Sequence, residues 1–144
     1  MADWDIRFLE LAKHIASWSK DPSTQVGAVI VDKKKRVVSV GYNGFAQGVK
    51  DLPERYENRD IKYKIVVHAE RNAIIFAKQN LEDCTIYTWP FQPCSVCAGM
   101  IIQSGIKRIV APKIEKTERW YDDMALACET LEEAEVKLDL IDFV

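Results

Sequence analysis

Apolar residues recur at helical spacing near the start of the chain. Phe8, Leu11, Ala12, Ile15 and Trp18 fall on one face, which predicts an amphipathic helix ending near Ser19-Lys20, before Asp21-Pro22. The pattern then changes. Residues 26–31 form an unbroken apolar run between Gln25 and Asp32 and read as a buried strand. Lys33, Lys34 and Lys35 turn the chain, and residues 36–42 return as a second strand closed by the loop signal Asn43-Gly44. Residues 45–63 carry many charges and no clean periodicity. They read as about 20 residues of loop, longer than a compact domain normally keeps without purpose, and are expected to wall a site. Ala73, Ile74 and Ala77 mark a helix over residues 68–78. A third strand follows at 84–89, a helix at 94–103, a fourth strand at 106–111 and a last helix at 122–134. Val136, Leu138 and Leu140 alternate with charged residues and give a final strand at a sheet edge.

The connection between the last two strands decides the topology. A tight hairpin would make them antiparallel, whereas a helical crossover makes them parallel. The predicted fold is α/β: a three-layer α/β/α sandwich on a five-stranded mixed sheet. An antiparallel hairpin opens the sheet, and the final two strands are parallel. No repeat, low-complexity tract or linker interrupts residues 1–144, which read as one domain.

Composition narrows the classes. With 48% hydrophobic and 29% charged residues the chain fits a soluble globular protein. Its formal net charge is -2 and its pI about 5.7, so the basic stripe expected of a nucleic-acid binder is missing and nucleic acid is not expected as a partner. The run Lys33-Lys34-Lys35-Arg36 reads as a solvated turn. No apolar stretch is long enough to span a bilayer, and Met1-Ala2-Asp3-Trp4-Asp5 lacks signal-peptide character. Four cysteines without a disulfide-like framework favour a reducing compartment, read as cytoplasmic.

Chemistry is concentrated in His68-Ala69-Glu70 and Pro93-Cys94-Ser95-Val96-Cys97. H-x-E followed by P-C-x-x-C is the known signature of zinc deaminases acting on nucleobases, and the chain matches it. His68, Cys94 and Cys97 supply one imidazole and two thiolates, leaving the fourth tetrahedral position for water. Cys94 and Cys97 share a helix face, and Pro93 is placed to start that helix. A helix N-terminus favours thiolates. Glu70 has no ligand to supply. It is read as the proton carrier, taking a proton from the attacking water, passing it to a ring nitrogen and later protonating the departing amine. Cys94 and Cys97 alone also suit a redox disulfide at a strand-to-helix turn, but His68-Ala69-Glu70 then lacks an explanation. A structural zinc would want a fourth protein ligand. Cys84 and Cys128 lie in apolar patterns and read as small core residues, and His14 as a surface or edge histidine.

These motifs and the element order resemble the cytidine and deoxycytidylate deaminase superfamily over nearly the whole chain, which implies a sheet of cytidine deaminase type. Three stretches resemble its deoxycytidylate (dCMP) branch more closely: Ser19-Lys20-Asp21-Pro22-Ser23-Thr24-Gln25-Val26-Gly27-Ala28, Gly41-Tyr42-Asn43-Gly44-Phe45 and Ile101-Ile102-Gln103-Ser104-Gly105-Ile106. The resemblance implies hydrolysis of dCMP to dUMP and ammonia on one catalytic Zn²⁺. It implies that Asn43 bonds the sugar, that Ala69 contacts the substrate, that Lys20 approaches the phosphate, and that Tyr121, beside Trp120, lies near the nucleotide. Arg55 and Arg59 stand behind Lys20 as phosphate ligands. Each has a plainer alternative: a turn residue at Asn43, a solvated helix end at Lys20, packing against the sheet at Tyr121 or Trp120. Relatives are generally oligomers, often hexamers, and often controlled by dCTP and dTTP, which implies a homo-oligomer, such effectors and Mg²⁺ with an effector nucleotide.

Two departures bear on selectivity. Ala46 stands where the branch commonly has proline, and Thr88-Trp89-Pro90-Phe91-Gln92-Pro93-Cys94 is longer than the usual connection by about one residue. The chain also lacks the Cys- and His-rich insertion of some viral relatives. Competing readings keep the chemistry and change the substrate to deoxycytidine, dCTP, a modified cytosine nucleotide or guanine. A tRNA adenosine deaminase conflicts with the acidic balance, and a non-catalytic zinc module leaves Glu70 without a task.

Overall fold

The computed structural model describes residues 3–114 and 118–143, with 118–120 as backbone only. Helix α1 spans Trp4–Ala16, capped by Asp3, whose side chain accepts from the Asp5 and Ile6 amides. Strands β1 (Gly27–Val31) and β2 (Val37–Tyr42) form the antiparallel hairpin. Short β3 (Gly44–Phe45) and β4 (Val66–Val67) pair with each other, enclosing α2 (Pro53–Glu57) and α3 (Arg59–Ile65). Then come α4 (Ala69–Ala77), β5 (Thr85–Trp89), α5 (Ser95–Ser104), β6 (Arg108–Pro112), α6 (Glu118–Glu133) and β7 (Lys137–Ile141). The main sheet has the order β2-β1-β5-β6-β7, antiparallel through β2, β1 and β5 and parallel from β5 to β7. The mixed sheet with parallel final strands is the predicted one, and β7 lies at its edge.

Period-two alternation divides the core between two faces. Val29, Val31, Tyr87 and Val110 pack under Phe8, Leu9, Ala12 and Ile15 of α1. Ala28, Ile30, Ile86 and Ile109 face Ala69 and Ala73 of α4, Ala98 and Ile101 of α5, and Ala127 and Leu131 of α6. Strand β1 is buried on both faces, which explains its unbroken apolar run. Cys84 belongs to this core, whereas Cys128 is only half-buried, with Sγ 3.6 Å from Gln92 Nε2.

Some expectations need correction. Residues 45–63 are not a plain loop: α2, most of α3 and one residue of β3 lie there. Pro53 opens α2, and Asn58 ends it while capping α3 through the Ile61 amide. Each helix is too short to show a period, and Phe45 stacked on Tyr56 at 4.2 Å supplies the tertiary support. Trp18 lies beyond the end of α1, half-exposed and edge-on to His14, which sits at the surface as read. Helix α6 starts four residues earlier than predicted; its first turn, Glu118-Arg119-Trp120-Tyr121, mixes charged and aromatic residues over too short a span to show a period by itself. Pro93 precedes α5 without being its first residue, because Cys94, with ψ 171°, is the N-cap.

Candidate metal centre

Helices α4 and α5 are both capped by residues of the two motifs. His68 is the N-cap of α4 but makes no side-chain capping bond. Its Nδ1 instead lies 3.3 Å from Cys97 Sγ and 3.7 Å from Cys94 Sγ. Cys94 caps α5, its Sγ accepting from the Cys97 amide at 3.5 Å. Donor atoms on a tetrahedral zinc, bonded at 2.0–2.3 Å, stand roughly 3.5 Å apart. The three ligand atoms, all within 4.8 Å of one another, fit that ion. No other group of three or more His, Cys, Asp or Glu ligands stands among the described residues, so nothing there supports Mg²⁺.

The thiols are strongly coupled. Cys97 hydrogen-bonds to Cys94 and, aided by His68, pulls the Cys94 thiol down to about 3 against the effect of burial. The same bond, with burial, pushes Cys97 up. A divalent cation between the sulfurs would take the place of the shared proton. Burial raises the pKa of Glu70, partly offset by a backbone hydrogen bond and by His68, so its carboxyl is biased towards holding a proton. Glu70 is 5% exposed, a position that a carboxylate without a task seldom occupies.

The α4 end of the centre is fixed from the sheet. A Cβ on Gly41 of β2 would run into the backbone of Ala69 and Ala73, so only glycine lets α4 lie this close. Ser39 Oγ donates to Ala73 O at 2.8 Å, and Asn72 Nδ2 to Tyr42 O at 2.8 Å. The β3–β4 ladder pairs Gly44 with Val67, which sets Asn43 and His68 one residue beyond the same rung.

Asn43 is buried, and much of its bonding capacity is used within the chain. Its Oδ1 accepts from Val26 N at 2.8 Å, and its Nδ2 donates to Thr24 O at 2.9 Å and Asp21 Oδ2 at 3.3 Å. Ala69, fully buried, is the first residue of α4. Lys20 is exposed and paired with Asp51 at 3.1 Å. Arg55 donates to Lys50 O at 3.1 Å, and Arg59 starts α3 at the surface. Tyr121 is half-exposed on α6, and the side chain of Trp120 lies outside the described residues.

Three residues gave no functional signal in the sequence reading. Burial alone would lower the pKa of the Arg71 guanidinium, but hydrogen bonding and charge attraction to the Cys97 and Cys94 sulfurs together outweigh it and the net shift is upward. Arg71 Nε is also the one buried side-chain polar atom without a partner among the described residues. Its i,i+3 spacing from His68 was the available clue. Lys62 is buried against Asp21 at 2.9 Å, and Asp123 bonds Ser95 at the start of α5. Those placements are tertiary, and no local spacing marks them.

A family model of the cytidine and deoxycytidylate deaminase zinc-binding region matches residues 2–113. A protein of Aliivibrio fischeri described as an uncharacterised deaminase of the luxG 3′ region is 46% identical over 142 residues, covering 96% of this chain and 93% of that protein. The deoxycytidylate deaminase of Homo sapiens is 43% identical over 114 residues, covering 75% of this chain and 64% of its own length, so this chain spans somewhat under two thirds of that relative. Among solved structures, the dCMP deaminase of cyanophage S-TIM5, in complex with dCMP and dUMP, superposes with a TM-score of 0.74. It covers 94% of each chain at 21% identity, a likeness of fold. No helix among the described residues is long and apolar enough to cross a membrane. With the family model spanning most of its length and close relatives matched over three quarters or more of it, the chain belongs to the cytidine and deoxycytidylate deaminase family.

Proposed function

We propose that the chain is a zinc-dependent deaminase that hydrolyses dCMP to dUMP and ammonia. The observation that carries this reading is the convergence of His68 Nδ1 and the Cys94 and Cys97 sulfurs beside the buried carboxyl of Glu70. The choice of dCMP draws on the 43% identity to the human enzyme and on the Ser19–Ala28 and Gly41–Phe45 stretches.

Zn²⁺ bound by His68, Cys94 and Cys97 supplies a Lewis acid that makes water nucleophilic near neutral pH. The residues of the chain do the rest. Glu70 accepts one proton of the attacking water and delivers it to the ring nitrogen as the oxygen bonds to the amino-bearing carbon; it then takes the second proton, from the new C–OH, and hands it to the amine, so that the C–N bond breaks, ammonia leaves and the carbonyl forms. Its burial excludes competing solvent and raises its proton affinity to suit that exchange. The Ala69 amide, in the first turn of α4, has no partner within the helix and is offered to the base. Asn43 Oδ1 has one lone pair beyond the Val26 bond and receives a sugar hydroxyl. Tyr121 flanks the nucleotide. Lys20 releases Asp51 to meet the phosphate, with Arg55 and Arg59 behind it.

The same reading includes a cytoplasmic homo-oligomer controlled by dCTP and dTTP. Ile75, Phe76, Val96 and Met100 leave apolar surface exposed on α4 and α5, which supports assembly. The test is a panel of dCMP, dCTP, deoxycytidine, CMP, 5-methyl-dCMP and single-stranded DNA, followed by loss of the aminopyrimidine absorbance. A kcat/KM highest for dCMP is expected. Equal use of deoxycytidine removes the phosphate from the account, and use of dCTP alone moves the assignment to a triphosphate enzyme.

A further inference from the structure

The first turn of α5 is held by a carboxylate from another helix. Asp123 lies in the second turn of α6. Its Oδ2 accepts from the Ser95 amide at 3.1 Å, and Ser95 Oγ donates to its Oδ1 at 2.6 Å. Ser95 directly follows Cys94, and its amide is one of the donors that a helix start leaves without a partner. The Cys97 amide is taken by Cys94 Sγ. Two amides beside the sulfurs therefore have separate, fixed acceptors. On the other side of Cys94, buried Gln92 donates from Nε2 to Met124 O at 3.4 Å. Residues flanking the first thiol are thus tied to adjacent positions of α6.

We propose that Asp123 is a positioning residue of the metal centre: through Ser95 it sets the first turn of α5 so that Cys94 and Cys97 turn their sulfurs towards one ion. This inference rests on the zinc deaminase reading above. Charge and placement are separable. Asp123→Asn keeps an acceptor for the Ser95 amide and offers a donor to its hydroxyl, without the negative charge. Asp123→Ala removes both bonds.

The test measures zinc affinity by competition with a chromophoric chelator, the absorption spectrum of the cobalt-substituted protein, and kcat and KM for dCMP in zinc-saturated protein. Asp123→Ala is expected to bind zinc about 10- to 100-fold more weakly, as loss of a supporting partner does. Its cobalt–thiolate bands should shift. Its kcat should fall about 10-fold, with KM changed by less than about 3-fold, because the displaced groups are those around the ion. Asp123→Asn should stay within about 3-fold of the parent in all three readouts. Parent-like zinc affinity and cobalt spectrum in Asp123→Ala overturn the proposal. So does an equal loss in Asp123→Asn, which would make charge the operative property. Should Asp123→Ala not fold, Ser95→Ala carries the test by deleting the 2.6 Å bond from the other side. Its zinc affinity is expected to fall about 3-fold or more, and unchanged affinity overturns the proposal. If these metal effects appear in a protein that leaves dCMP untouched, the functional reading fails and the positioning role stands.

Discussion

His68 occupies a helix cap and caps nothing. A Ser, Thr, Asp or Asn there would satisfy a free amide and stabilise α4 by about 1 kcal/mol. The imidazole turns towards Cys94 and Cys97 instead, so the position gives up helix stability to converge with the two thiols. Cys97 is fully buried at the meeting point. Cys97→Ala should therefore lose bound zinc and lower deamination by at least about 10²-fold, the upper figure for losing a mere supporting group. Metal analysis of the purified variant checks this, and full zinc occupancy would remove Cys97 from the ligand set. Glu70 differs in kind. Glu70→Gln should keep both zinc and fold while kcat falls at least about 10²-fold. Near-normal turnover in the zinc-loaded variant would assign proton transfer to another group. The convergence of His68, Cys94 and Cys97 was legible because two short spacings, H-x-E and P-C-x-x-C, mark the three residues. Lys62 was not: it lies six positions before His68 in a charged stretch, and only the folded chain buries it against Asp21.

Gly41 shows how an element sets the site. Any Cβ at this position in β2 meets the backbone of α4 at Ala69 and Ala73, on either side of Glu70. Gly41→Ala must push the helix outward. Overpacking of this kind costs about 1–3 kcal/mol, and a shift of about 1 Å in catalytic groups can cost 10²-fold in rate. Urea unfolding and kcat for dCMP should both report the loss, with kcat down at least about 10-fold. A destabilised variant with parent kcat would show that α4 need not seat tightly for catalysis. The same scale explains what the sequence hid. Strand β1 announced itself through an apolar run because both its faces are covered. Helices α2 and α3 did not, since five and seven residues complete too few turns to show a period, and Phe45 on Tyr56 stabilises that region only after folding. Pro93 was read as the start of α5, two residues too early: the helix begins at Ser95, because the thiol of Cys94 takes the cap that an oxygen side chain usually fills.

Across the whole molecule, Arg108 joins the start of the chain to its end. From β6 it makes a two-pronged bond to Asp5 of α1 at 2.8 and 2.9 Å and a third to Asp139 of β7 at 2.7 Å, while Tyr87 of β5 donates to Asp5 at 2.7 Å. The Arg108 hydrogen bond holds the Asp5 carboxyl below its ordinary range, against the effect of burial. Because the folded pKa is depressed, this stabilisation is complete above the unfolded value of about 3.9 and is lost as pH falls through the folded one. Arg108→Leu should lower stability near neutral pH by about 1–2 kcal/mol. That is less than for a fully buried pair, since these side chains are a quarter to a third exposed. The contribution of Asp5 to the acid dependence below about pH 4 should shrink as well. Urea midpoints across pH 2–7 check both, and an unchanged midpoint at neutral pH would leave the network without a stabilising role. The proposed deamination depends most directly on the metal. Zinc content and conversion of dCMP to dUMP should be measured on the purified protein, after chelation, and after zinc is restored. About one zinc per chain is expected, with activity lost on chelation and regained with zinc. Full turnover by the metal-free protein, or a fully zinc-loaded protein that leaves dCMP unchanged, would contradict this expectation.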